Sequence, residues 1–248
     1  LHKNLFNGFE NSPFFCFINE KTTKVKKNKN VKKQFNFKLK NFEETFNNLP
    51  ETNKKKFFIK FEKKIDTSKI KFDIFDNFGL YCFNSKEISL FVICKKKSDF
   101  FNSGHNHDDN LSIDLVVNNK TLITDPGSFC YTDNLKLRHL YRGSNAHFAP
   151  RSQKMLNERI TPNPFYFFES FNGKCEYINE KIFMGSLKMK NIVVYRFLEI
   201  KDEGLQIKDF CKNDILAKYS SFDYNLKIST SYGVISKHDM INRIKIIY

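Results

Sequence analysis

Four of the six histidines in this 248-residue chain fall in one stretch, Gly104 to His147. His105 and His107 are two residues apart. In an extended segment their side chains leave on one face, with Cα atoms about 6.6 Å apart, so both imidazoles can approach one cavity. Downstream, Leu111, Ile113, Leu115 and Val117 alternate with Ser112, Asp114 and Val116, the period of a half-buried strand. Asn118-Asn119 is a two-residue hairpin signal, because Asn tolerates positive φ. Thr121 to Asp125 then returns as the partner strand and stops at Asp125-Pro126-Gly127, a type II turn sequence. Folding back through that hairpin brings Asp125 beside His107.

A His, an Asp and a second His meeting at one point form a nitrogen and oxygen donor set suited to zinc, with water as a fourth ligand. By spacing alone the third member is either His139 or His147. The competing reading is a polar, Asp-capped loop with surface histidines.

The elements that must carry these residues read as β. Gly79 to Phe83 and Ile88 to Cys94 are strands separated by Asn84-Ser85-Lys86, and further strands are expected at Phe165 to Phe168, Gly173 to Ile178, Ile192 to Ile200, Leu205 to Cys211 and Ile241 to Ile247. Asp202-Glu203-Gly204 supplies a hairpin turn, and Asn134 to Tyr141 is the one helical candidate. Many short strands with little helix predict an all-β, antiparallel two-sheet β-sandwich. Residues 1–70 read as a connecting segment plus first strands, with Phe14 to Ile18 and Phe57 to Phe61 as edge strands, and 71–248 as the sandwich domain.

Composition narrows the partners. The net charge is +15, carried by 36 Lys and only 6 Arg among many Phe, Asn and Ile. One reading is attraction to a polyanion, and the other is a solvated, Lys-rich surface. Arg scarcity and the lack of a nucleic-acid-binding motif argue against a nucleic-acid reader. The six cysteines are widely spaced and several sit inside apolar runs, as buried thiols would. No apolar run approaches the ~18 residues of a membrane helix. The first twenty residues carry Asn7, Glu10 and Asn11 where an apolar leader would stand. The chain opens with Leu1, so a segment of something longer is expected.

The run His105-Asn106-His107-Asp108-Asp109-Asn110-Leu111-Ser112, then Asp125-Pro126-Gly127, Tyr131 and Arg142-Gly143-Ser144-Asn145-Ala146-His147, resembles the heparinase II/III family of polysaccharide lyases. The resemblance is to the C-terminal β-sandwich domain, whose signature reads GHxHxDxLS, DPG and RS-x-x-AH. It is dense from about Asp76 to His147 and fades towards Cys211. By resemblance, His107, Asp125 and His147 hold a structural zinc ion that braces the domain near the cleft. His105 faces substrate, neutralising a uronate carboxylate or assisting proton transfer. Tyr131, Tyr141 and Arg142 line the cleft as catalytic candidates, with Arg142 also a substrate contact. His139 has no counterpart and reads as a surface residue. The chain departs from the family in placing Phe148-Ala149 after the last His, where Asn-Thr is usual, and Asn145 where Thr is common. The first departure bears on how His147 is oriented.

Such lyases act by β-elimination. A base removes the C5 proton of a uronic acid and the C4 oxygen leaves, which requires the neighbouring carboxylate to be neutralised and an acid and a base within reach. The resemblance implies an acidic polysaccharide as substrate. It also implies a helical (α/α) toroid, N-terminal in the same parent chain and absent from residues 1–70, as the partner supplying the rest of the cleft. A periplasmic or cell-surface location in a bacterium is implied as well. The expected function is the C-terminal part of a polysaccharide lyase, and the alternative is a non-catalytic carbohydrate-binding or assembly module that keeps the zinc-braced sandwich.

Overall fold

Alternation of inward and outward side chains builds two stacked sheets. The computed structural model describes residues 40–96, 106–156, 160–167, 172–217, 227–229, 233–234 and 246–247. The strands are β1 (Lys54–Lys60), β2 (Lys71–Phe75), β3 (Leu80–Asn84), β4 (Ile88–Ile93), β5 (Ile113–Val117), β6 (Lys120–Ile123), β7 (Asn172–Ile178), β8 (Ile182–Met189), β9 (Ile192–Lys201), β10 (Gly204–Cys211) and β11 (Ile246–Ile247). One sheet runs β2-β3-β4-β5-β6 and the other β11-β1-β10-β9-β8-β7, and every pairing is antiparallel. Leu90, Val92, Ile113 and Leu115 from the first sheet meet Phe183, Leu198, Ile200, Leu205 and Ile207 from the second in one continuous core. This is the expected all-β sandwich.

The hairpins fall where turn chemistry places them. Asn118 and Asn119 join β5 to β6 with φ of 49° and 62°, both left-handed as a type I′ turn requires. The predicted strands at Phe57, Gly79, Ile88, Gly173, Ile192 and Leu205 form within a few residues of their expected limits. Ile241 to Ile247 is described only at β11, and Phe14 to Ile18 lies outside the described residues.

Several expectations are corrected. Residues 160–167 form a loop with one isolated bridge between Ile160 and Phe167 in place of the strand expected from Phe165. Pro164 has no N–H for a ladder, and the Thr161 hydroxyl donates to the carbonyls of Asn163 and Tyr166. β1 is no edge strand: it lies between β10 and β11, so the sandwich draws on residues upstream of 71. β2 and β8 were not anticipated. A helix, α1 (40–48), was not anticipated either. Its Phe42 and Phe46 pack on Phe197 and Phe210, which alternate with the core residues of β9 and β10, so α1 covers the outer face of the six-stranded sheet. The second helix, α2 (Leu135–Arg142), forms as read, with the Asn134 side chain accepting from the Leu137 N–H as its N-cap.

Candidate metal centre

The centre lies at the end of the five-stranded sheet where β5 starts and β6 stops. Asp125 follows β6 by two residues and opens the turn in which Gly127 adopts φ +75°. The Gly127 N–H donates to Asp125 Oδ1 at 2.9 Å, which fixes the carboxylate. A Cβ on Gly127 would strike the carbonyl of Ser229, so glycine serves both the conformation and the close approach. The Asp125 N–H donates to Asp114 Oδ1 at 2.6 Å. Burial, then the nearby Asp125 charge, pushes the Asp114 carboxyl well above its usual range.

His147 follows the short 3-10 turn Ser144–Ala146 after α2, fully buried, with Nδ1 at 2.6 Å from Asp125 Oδ2. Burial disfavours the imidazolium, but the Asp125 charge and hydrogen bond outweigh it and raise the His147 pKa. In the same way burial opposes ionisation of Asp125, and His147 overcomes it to hold the carboxyl below its usual range. The His107 ring lies 5.4 Å from the His147 ring between centroids. Burial first, then the His147 charge, pushes its pKa down to about 3. His107 Nε2 lies 3.2 Å from Arg138 Nη1 and 3.1 Å from Ser128 Oγ. A guanidinium only donates, so Nε2 accepts and His107 is neutral with its proton on Nδ1.

One donor atom from each of His107, Asp125 and His147 lies within 4.8 Å of the others. Two imidazoles and a carboxylate are a zinc-type donor set. His147 Nε2 is buried and finds no hydrogen-bond partner among the described residues, which fits an atom waiting for a ligand. A cation there meets two buried carboxylates, Asp125 and Asp109, and two like charges, Arg138 beside His107 and Lys95 paired with Asp109. Burial would raise Asp109, but Lys95, bonded to both its oxygens at 3.0 and 2.8 Å, and the two histidines hold it at about 2. The cluster can therefore hold a metal ion.

The remaining predicted residues are placed as follows. His105 lies outside the described residues. Tyr131 is half-buried, with the Arg138 guanidinium 4.6 Å from its ring centroid. Tyr141 is buried and its hydroxyl donates to the Lys227 carbonyl at 2.9 Å. Arg142 is buried too, donating to the carbonyls of Pro164, Thr161 and Asn163 and stacking 4.5 Å from the Phe167 ring. It braces the 161–167 loop. His139 is outside the cluster; it is partly buried rather than a plain surface residue, and burial and then Arg142 lower its pKa. Sequence reasoning missed Ser128, Arg138 and Arg151. Arg138 had one signal, its position four residues before Arg142 on the same helix face.

The family described as Heparinase II/III-like, C-terminal, matches residues 68–149, a span holding β2 to β6, α2 and all three donors. Over that third of the chain the sequence is similar to a heparinase II/III-like C-terminal domain. Solved structures similar to the chain include a heparinase III at 19% identity over 52% of this chain and 20% of that one, with a TM-score of 0.39. Another is a heparan sulfate lyase from Pedobacter heparinus at 18% identity over 50% of this chain and 19% of that one, with a TM-score of 0.33. The matched part thus spans about a fifth of each of those proteins. No curated protein matches the sequence. In the heparinase II/III-like domain the Phe148-Ala149 departure falls beside the fully buried His147: Phe148 joins the core against Phe57, with ring centroids 6.1 Å apart, and its carbonyl accepts from Arg196. No helix among the described residues is long and apolar enough to cross a membrane.

Proposed function

We propose that this chain is the C-terminal part of a polysaccharide lyase that cleaves uronate-containing acidic glycans by β-elimination, with zinc as a structural brace. The carrying observation is the convergence of His107, Asp125 and His147, set beside the stacked pair of Arg138 and Tyr131. Zinc, when bound, supplies a fixed positive charge that locks the two segments bearing the histidines together. The chain's own groups provide the rest. Asp125 orients His147 through Nδ1, and Asp114 orients Asp125. Tyr131, half-buried, offers a hydroxyl for proton transfer, with the Arg138 guanidinium stacked on its ring. His105 is proposed to neutralise the uronate carboxylate, and a helical toroid of the same parent chain to complete the cleft.

The test is incubation of the chain, joined to its upstream parent sequence, with heparan-like and alginate-like glycans. The reading expects the ultraviolet absorbance of a new unsaturated uronate, lost in Tyr131→Phe. Cleavage that leaves saturated ends would contradict it.

One observation favours a second reading, a carbohydrate-binding or assembly module without catalysis. Tyr141 and Arg142, two of the four residues expected to touch substrate, direct their polar groups to backbone carbonyls inside the fold. Glycan binding without new absorbance would select that reading.

A further inference from the structure

Two guanidinium groups lie inside the fold against the segments that carry the histidines. Arg196 projects from β9, and Asp209 of β10 stands opposite it in register. Both are fully buried. Arg196 Nε and Nη2 donate to the two Asp209 oxygens at 2.9 and 2.8 Å, a bidentate fork. Nη1 crosses to the other side of the core and donates to the carbonyls of Leu111, at 2.7 Å, and Phe148, at 2.6 Å. Leu111 lies four residues beyond His107, and Phe148 directly follows His147. One nitrogen from the six-stranded sheet therefore ties the two imidazole-bearing segments together. Arg151 adds a second stitch nearby, donating to the carbonyls of Asp108, Asn110 and Pro150 and to Asp108 Oδ1.

Fold stability alone does not account for the Arg196–Asp209 pair, because a buried ion pair is often replaceable by apolar residues without loss. A second observation points to precision. Leu111 adopts φ 65°, a left-handed conformation that a branched side chain rarely takes. Such strain persists only where the surroundings over-determine it. Here the Leu111 N–H donates to the Ile93 carbonyl at 2.6 Å and its own carbonyl accepts from Arg196. Its side chain lies over Gly185, the β8 residue paired with Arg196, where a Cβ would come within 2.8 Å of Leu111 Cδ2. Three contacts hold one strained residue at the base of the His107 segment.

We infer that Arg196, held by Asp209, is a positioning residue that sets the separation of the His107 and His147 segments so that the three donors face one cation. The inference rests on the metal-binding reading proposed above. Lysine carries the same charge but cannot hold Asp209 bidentately while reaching two carbonyls.

The experiment compares zinc affinity, by competition with a chelator, and the visible spectrum of the cobalt(II)-loaded protein. It uses the wild-type chain, Arg196→Lys, the double variant Arg196→Met/Asp209→Leu, and Phe46→Leu as a control under α1. The double variant exchanges the ion pair for apolar groups, so folding survives while the stitch is lost. Expected are about 10–100-fold weaker zinc binding in both Arg196 variants and weaker cobalt(II) bands as the coordination loosens. Phe46→Leu is expected to lower the melting temperature and leave zinc affinity unchanged. Wild-type affinity and spectrum in either folded Arg196 variant would overturn the inference and leave the metal reading standing. So would a Phe46→Leu affinity that falls along with its melting temperature. Failure of the wild-type chain to bind zinc would overturn both readings.

Discussion

At the scale of single residues, the protonation states of the three donors make zinc binding a one-proton exchange. His107 stays neutral down to about pH 3, whereas Asp125 raises the His147 pKa above its ordinary 6.5. Zinc must therefore displace one proton, and its affinity is predicted to rise about tenfold per pH unit below the His147 pKa. A rise of about a hundredfold per unit in a pH-dependent titration would mean that both histidines are charged. The His147 contribution to the stability of the metal-free protein follows the opposite sign. A histidine raised on folding contributes stability in full below its unfolded pKa and loses it as pH climbs through the folded value. Asp125→Asn is predicted to flatten that loss in melts run between acid and alkaline buffers. Tyr141→Phe removes one hydrogen bond to Lys227 and is predicted to cost about 1 kcal/mol in denaturant unfolding while leaving any lyase activity intact. His107 and Asp125 were legible in the sequence through residue type and hairpin arithmetic, whereas spacing left His139 and His147 open and only the family resemblance pointed to His147. The buried arginines were not legible, since a guanidinium enters a core only where the fold brings carbonyls and carboxylates to it. A signal was present nonetheless. In a chain with 36 Lys, four of the six Arg (138, 142, 151 and 196) are buried around this one site, and the other two lie outside the described residues. Those are the positions where lysine cannot supply a fork.

At the scale of elements, turns carry the site. Gly127→Ala places a Cβ against the Ser229 carbonyl at φ +75°, and is predicted to destabilise by at least about 2 kcal/mol and to weaken metal binding with it. Chemical denaturation alongside zinc titration checks both effects. The β5–β6 hairpin and the Asp-Pro-Gly stop were readable from Asn, Pro and Gly because these residues dictate φ locally. β8 was not, because Gly185 breaks its β pattern, and that glycine is explained by the close approach of the Phe183 ring and of Leu111, which precedes β5 and is distant in sequence. α1 was missed because two phenylalanines at i and i+4 are too short a stripe to signal a helix; their partners, Phe197 and Phe210, lie more than 150 residues away. The 160–167 loop was over-read as strand because aromatic content outweighed Pro164.

At the scale of the whole molecule, the sandwich stacks two sheets whose core is continuous, and the candidate centre sits where the ends of β5 and β6 meet α2. The +15 charge predicts that capture of an acidic glycan weakens steeply as salt rises. An affinity that is flat in salt, measured by titration at several ionic strengths, would assign the lysines to solvation alone. The proposed centre requires three side chains distant in sequence to close around one metal ion. Zinc-edge X-ray absorption of the stoichiometrically loaded chain reads that shell directly. Two imidazoles and a carboxylate oxygen, with metal–ligand distances of about 2.0–2.2 Å and no sulfur, are predicted. Sulfur scattering at about 2.3 Å, or zinc whose shell is unchanged in Asp125→Ala and His147→Ala, would contradict it.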